Sequence, residues 1–158
     1  QSLDEVMASE PFMPVESDKN SLIYSEVDFE GLPSDMAYFF ISDELALNMY
    51  DLHGEKQLAE ESMRVFKRLS GILDRRYGEP VAEVQQWRNG VSLNTDNWPQ
   101  AVASGDLALL TAWMDEYTMI CLYLNDKGEN LGIVYADVEM VDNTLISLMK
   151  QGLNKSSL

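Results

Sequence analysis

One cysteine, Cys121, and one histidine, His53, are all that 158 residues contain of those two types. A zinc site built from Cys and His needs several such ligands, and a disulfide needs two thiols. Both are excluded. Basic residues are scarce too: 11 Lys+Arg stand against 27 acids, a formal charge of −16 and a pI near 4.2. A chain with so few cations does not make a phosphate-tracking footprint on DNA or RNA. It is also repelled by anionic lipid headgroups. No apolar run approaches the ~20 residues of a membrane-spanning helix, so no membrane span is expected.

What is present is ordinary for a folded protein. Apolar residues make up 46% and charged residues 24%, so the acidity is not a mark of disorder. A domain averages roughly 150 residues, which predicts one domain here, with a core large enough to need no staples. Residues 1–20, rich in Glu, Asp, Ser and Pro, read as an acidic polar leader or tether. Residues 21–153 form the predicted domain and 154–158 a frayed tail. The chain opens on Gln1 with no signal-type apolar segment, which favours a processed, exported protein of the cell envelope over a cytoplasmic one.

The charge is unevenly placed. Residues 1–55 hold 13 acids against Lys19 alone, a net of −12. Residues 56–80 carry six of the 11 bases and net +2, and residues 81–158 net −6. That asymmetry is the least random property of the chain.

Alternating apolar residues predict strands at 22–29 and 45–52, and a run apolar on both faces predicts one at 36–42. In the first, Ile23, Val27 and Phe29 fall on one side. In the third, Leu45, Leu47 and Met49 share a face. Residues 56–77 switch to a helical period, with Leu58, Ser62, Val65, Phe66, Leu69, Ile72 and Leu73 in one arc. Glu60 and Glu61 near its start and Arg75 and Arg76 near its end suit the helix dipole, and Gly78 with Pro80 stops it. Gly71 lies mid-helix on the basic side.

Residues 81–106 form an irregular insertion, with a short strand around Val91 and Leu93 and one short helix from Asn97-Trp98-Pro99 to Gly105. Strands follow at 107–114, 117–124 and 130–136, and a short amphipathic helix at 141–152. The order β-β-β-α-β-β-β predicts an α+β fold: one antiparallel or mixed sheet with a long helix packed on it. Segments 36–42 and 117–124 are apolar on both faces, so both sides of the sheet must be covered.

The helix ending in Tyr77-Gly78-Glu79-Pro80, then Trp87, then the strands within 113–124 and 130–136 give a partial match. Together they resemble small uncharacterised exported or lipoprotein-type domains of bacteria. Those share a β-meander, helix, β-meander layout. The layout is also similar in outline to type III secretion chaperones, which are acidic dimers. The resemblance implies a non-catalytic envelope protein and leaves open a pairing of two copies. It carries over no functional residue.

Catalytic chemistry finds little support. His53 sits in a turn beside Gly54 without a partnered nucleophile. Cys121 lies in an apolar run, where a thiol is a small core residue. There is no G-x-S-x-G elbow, no Walker loop and no G-x-G-x-x-G, so neither a cofactor nor a metal site is expected. Asn125-Asp126-Lys127-Gly128 lacks calcium-loop spacing and reads as a hairpin turn. Paired carboxylates would serve a hydrolase only with one acid desolvated, and these acids fall on turns.

Two features point to binding. Arg64, Lys67, Arg68 and Arg75 form a basic stripe that would dock an acidic partner or a phosphate, against the bland reading of a solvated face neutralised by Glu60 and Glu61. Trp87, Trp98 and Trp113 with Tyr117 and Tyr123 would line a groove for a peptide or sugar beside the irregular segment, with Trp98 the best candidate for an exposed contact. Trp113 reads as core. The leading expectation is therefore a non-enzymatic module that binds a protein or peptide. The others are an acidic inhibitor or immunity-type protein covering a basic partner, and a carboxylate-dependent hydrolase.

Overall fold

A computed structural model describes residues 1–52, 58–88 and 97–140. Its elements in chain order are helix α1 (Leu3–Ser9), strands β1 (Glu16–Ser17), β2 (Ser21–Phe29), β3 (Leu32–Ile41) and β4 (Glu44–Leu52), helix α2 (Ala59–Tyr77), strand β5 (Ala82–Trp87), helix α3 (Trp98–Ser104), and strands β6 (Leu107–Met114), β7 (Thr118–Asn125) and β8 (Asn130–Asp137). A single 3-10 turn, Asp126–Gly128, joins β7 to β8. The class is α+β, as the element order predicts. The strand count differs: eight strands form one antiparallel sheet in the order β1-β2-β3-β4-β8-β7-β6-β5.

Two of those strands escape the hydrophobic pattern. β5 lies in the segment expected to be irregular. It is an outer strand whose first four residues, Ala82 to Gln85, are exposed, so it needs little apolar alternation. The two-residue β1 pairs Glu16 with Ile23 and Ser17 with Leu22. With α1 it brings residues 1–20 into the fold rather than leaving them as a tether. Ser2 and Glu5 form a reciprocal capping box at the start of α1. Val6 of α1 is 2% exposed in a cluster with Leu22, Tyr24, Met36, Tyr38 and Phe40. The short helix in the insertion follows its sequence signals. Asn97 caps it, Pro99 sits in the first turn, and Gly105 closes it in the left-handed conformation. The predicted strand around Val91 and Leu93, the helix at 141–152 and the tail at 154–158 fall outside the described residues.

Bulges change which residues face inward. In β2 the register shifts between Tyr24 and Val27, with Glu26 at φ 58°. Leu22, Tyr24, Val27 and Phe29 therefore share the helix-bearing face, where strict alternation would have split them. A second shift between Phe39 and Phe40 separates Leu45 from Leu47 and Met49. Leu45 packs under α1, and the other two belong to the opposite face. The expectation that these three share one face is thereby corrected.

Cross-strand register traces one continuous face through Met36, Tyr50, Ile133, Leu122 and Thr111. Both α1 and α2 pack on it. Buried Met63, Phe66, Leu69 and Leu73 of α2 meet Leu109, Trp113, Ile120 and Leu122 there. Val102 of α3 joins the same cluster. Among the described residues no helix lies on the opposite face, which carries Leu47, Ala112, Cys121, Val134 and Ala136.

The sheet order is palindromic about the β4–β8 pair. Each half is a helix followed by four strands in a meander. Each helix also begins at the same place relative to its own half. α1 starts beside the β3–β4 turn, where Leu3 N donates to Asp43 Oδ1 at 3.2 Å and Leu45 N to Gln1 O at 2.8 Å. α2 starts beside the β7–β8 turn, where Ser62 Oγ donates to Gly128 O at 2.7 Å. The two halves are thus related by a pseudo-two-fold axis normal to the sheet. Among the described residues they differ in two respects: α1 has 7 residues and α2 has 19, and only the second half carries a further helix, α3, between its first two strands.

Candidate functional site

The consequence of that length difference is seen at the two hairpin tips. The β2–β3 tip, Phe29 to Leu32, curls over α2. Phe29, Leu32, Tyr50 and Leu52 all pack in the α2 cluster. Arg68 Nη2 donates to Glu30 O at 3.2 Å, and Arg76 Nη2 donates to Glu30 Oε1 at 2.6 Å. The symmetry-related tip is Asp115-Glu116-Tyr117, between β6 and β7. α1 stops too early to reach beneath it.

At that position lies a hollow of about 210 Å³. Leu45 to Asn48 of β4 form one wall, Tyr117 and Thr118 of the tip another, and Tyr135 to Asp137 of β8 the third. The sheet order makes β4, β8 and the β6–β7 tip the counterparts of β8, β4 and the β2–β3 tip. The β4 bulge at the Phe39–Phe40 shift helps to open it, because β4 pairs with β8 only from Leu47 onward. Most of the lining is apolar. Asn48 adds a polar floor, with its Oδ1 buried and without a hydrogen-bond partner.

The rim is acidic and ordered. Asp115 Oδ1 accepts from the backbone N–H of Tyr117 and of Thr118, at 2.9 and 2.8 Å. Glu116 Oε1 accepts from Tyr117 Oη at 2.8 Å. Asp137 Oδ1 accepts from Glu139 N and Met140 N. Tyr117 itself is 64% exposed and lines the opening.

Aromatic rings carry the contact from the α2 seat to the hollow. Phe29 lies 4.4 Å from Tyr50 by ring centroid, and Tyr50 meets Tyr135 edge-on at 6.3 Å. Burial raises the Tyr135 phenol to about 12, with Tyr77 adding to the rise. Tyr50 is raised by the same cause. Tyr38 is raised by burial first, then by the Glu10 carboxylate that accepts its hydrogen bond. These phenols stay neutral donors throughout the physiological range.

Of the binding residues expected from the sequence, Tyr117 lines this hollow and the basic stripe and tryptophans lie elsewhere. Arg64, Lys67, Arg68 and Arg75 are exposed on α2. Arg64 pairs with Glu61 at 2.7 Å and with Glu60 at 3.8 Å. Arg68 turns away from that pair toward the β2–β3 tip. Gly71 admits a methyl group, the nearest neighbour of such a group being Arg75 Nη1 at 3.7 Å. It is a tolerated glycine and not a point of close approach. Trp87 is half-buried at the edge of the α2 cluster. Trp98, expected as an exposed contact, is also half-buried there, with its Nε1 buried. Its place in the first turn of α3 swings the indole inward. Trp113 is fully buried beneath α2.

Cys121 is buried, and desolvation pushes its thiol up to about 11. His53 lies outside the described residues. Among the described residues no Asp or Glu is buried, and no group of three or more His, Cys, Asp or Glu would hold a metal ion. No helix among them is long and apolar enough to cross a membrane. Sequence reasoning reached Tyr117 but not the β4 and β8 walls, because these are brought beside it only by strand pairing. The chain matches no family model, no curated protein and no solved structure.

Proposed function

We propose that this protein is a non-enzymatic binding module for a protein or peptide, acting through the hollow between the β6–β7 tip and β4. The observation that carries the reading is the pairing of one filled seat with one hollow in a pseudo-symmetric fold. Where the β2–β3 tip closes on α2, a helix supplies apolar side chains and two arginines. The second site offers apolar walls too, and among the described residues no such helix covers them. Burial of apolar surface contributes about 25 cal/mol per Å², so a ligand that covers these walls gains affinity from them. The acidic rim also favours the reading of a protein that covers a basic partner. Cell-envelope location and pairing of two copies belong to the same proposal and are drawn from the sequence reading.

The test is site-specific photo-crosslinking of the full chain in its native cell. A benzoylphenylalanine replaces Thr118 in one variant and Lys67 in another. A protein adduct at Thr118 and none at Lys67 is the expected result. Adducts at Lys67 alone would move binding to the basic stripe. No adduct at either position would overturn the interaction-module reading.

A further inference from the structure

The geometry points to an amphipathic helix of a partner protein as the occupant of the hollow, one with two basic residues about two turns apart facing the β6–β7 tip. This inference rests on the binding-module reading and specifies its ligand.

Three observations define the occupant. The first is shape. The pseudo-two-fold relates the hollow to the seat of the C-terminal part of α2, so the ligand that fits it has the form of that part of α2. α1 supplies the first two turns of the equivalent helix, and the missing length is the difference between 7 and 19 residues, about three turns. The second is apolar matching. α2 turns Leu69 and Leu73 to the sheet and packs against Phe29, Leu32 and Tyr50. At the hollow Leu45, Tyr117 and Tyr135 offer apolar surface on the helix-bearing face. An amphipathic helix laid in such a groove is read through apolar anchors at i, i+3, i+4 and i+7.

The third is charge. On α2, Arg68 and Arg76 both bond Glu30 at the tip. The counterpart tip carries Asp115 and Glu116, and Asp137 faces it across the hollow. Among the described residues none of these three forms a salt bridge, while their turn hydrogen bonds hold Asp115 and Asp137 in place. Basic side chains one face-repeat apart complement that rim and are steered toward it by the net charge of −16.

The chain contains its own probe. A synthetic peptide of residues 58–77, carrying the α2 sequence and a fluorescent label, is titrated with the full protein and followed by anisotropy. Saturable one-to-one binding in the micromolar range is expected. The substitutions Tyr117→Lys and Glu116→Lys, at exposed positions, are each expected to weaken it about tenfold. Replacing both Arg68 and Arg76 by Glu in the peptide has the same effect. Val84→Lys, on the outer strand β5, leaves it unchanged. A peptide of the same composition in scrambled order does not saturate. Equal binding of the scrambled peptide, or binding undiminished by Tyr117→Lys, would overturn the inference. If the peptide fails to bind while Thr118 still yields photo-adducts, the helix is wrong and the binding module stands. If both fail, both are wrong.

Discussion

The indole N–H of Trp113 donates to Asp74 Oδ1 at 2.9 Å. One residue is at the end of β6 and the other near the end of α2, so this bond fixes how the long helix crosses the sheet. Trp113 is 0% exposed, and its N–H has to find an acceptor when it leaves water. Asp74→Ala removes that acceptor. A loss of about 1–3 kcal/mol is expected from urea denaturation. Asp74→Asn retains a carbonyl oxygen and should cost less.

Gly132 of β8 faces the Tyr123 ring. A methyl group built there would overlap the phenol and lie 2.8 Å from the carbonyl oxygen of Tyr50. The carbonyl belongs to β4 and cannot swing aside. Gly132→Ala should therefore destabilise the protein by about 1–3 kcal/mol through overpacking. A fall in the thermal midpoint without loss of helical circular dichroism at 20 °C would show it.

Gly71 gives the opposite result. Its position in α2 has room for a methyl group, and glycine inside a helix costs about 1 kcal/mol relative to alanine. Gly71→Ala is expected to raise stability by about that amount. Gly128 is the control, because its φ is +86° and a methyl group there would sit 3.0 Å from Ala59 Cα. Gly128→Ala should destabilise, since both the backbone conformation and the neighbouring helix oppose it.

Alkaline pH should weaken the fold. Burial raises Cys121 to about 11 and Tyr123 and Tyr135 to about 12. The unfolded chain loses these protons at lower pH than the folded one. The folded state thus binds more protons between the two sets of values, and stability falls as pH rises. The contribution is fully present below about pH 8 and is lost between about pH 9 and 12. Urea midpoints measured from pH 7 to 11 should decline above pH 9. Thiol labelling of Cys121 at pH 8 should be slow in the native protein and fast in denaturant. Fast native labelling would contradict the burial.

Much of the fold was legible from local chemistry. The α2 helix follows from the spacing of Ser62, Val65, Phe66, Leu69 and Leu73, which are buried as one stripe apart from half-buried neighbours. α3 was readable from Asn97, Pro99 and Gly105. The central strands β3 and β7 announced themselves by being apolar on both sides. What stayed hidden has a common cause. β5 and β1 hold their place by backbone pairing, which leaves little mark on side-chain pattern. The bulges at Glu26 and Ala46 reverse the facing of residues beyond them, and alternation cannot reveal an inserted residue. Of the site residues expected from sequence, Tyr117 lines the hollow, Arg68 touches a hairpin tip, and the tryptophans serve the core.

The sequence alone determined the acidity, its concentration in the first 55 residues, the α+β class and the single long amphipathic helix. Those depend on composition and on periods of two and 3.6 residues, which are local. Tertiary structure decided the rest. It drew residues 1–20 into the sheet, because Val6 has a core to enter only once β2 and β3 have paired. It set two four-strand halves about the β4–β8 pair, a relation with no local signature. It turned the shortness of α1 into a hollow, because a helix that ends early leaves its neighbours' side chains without contact only when the sheet has already placed them there.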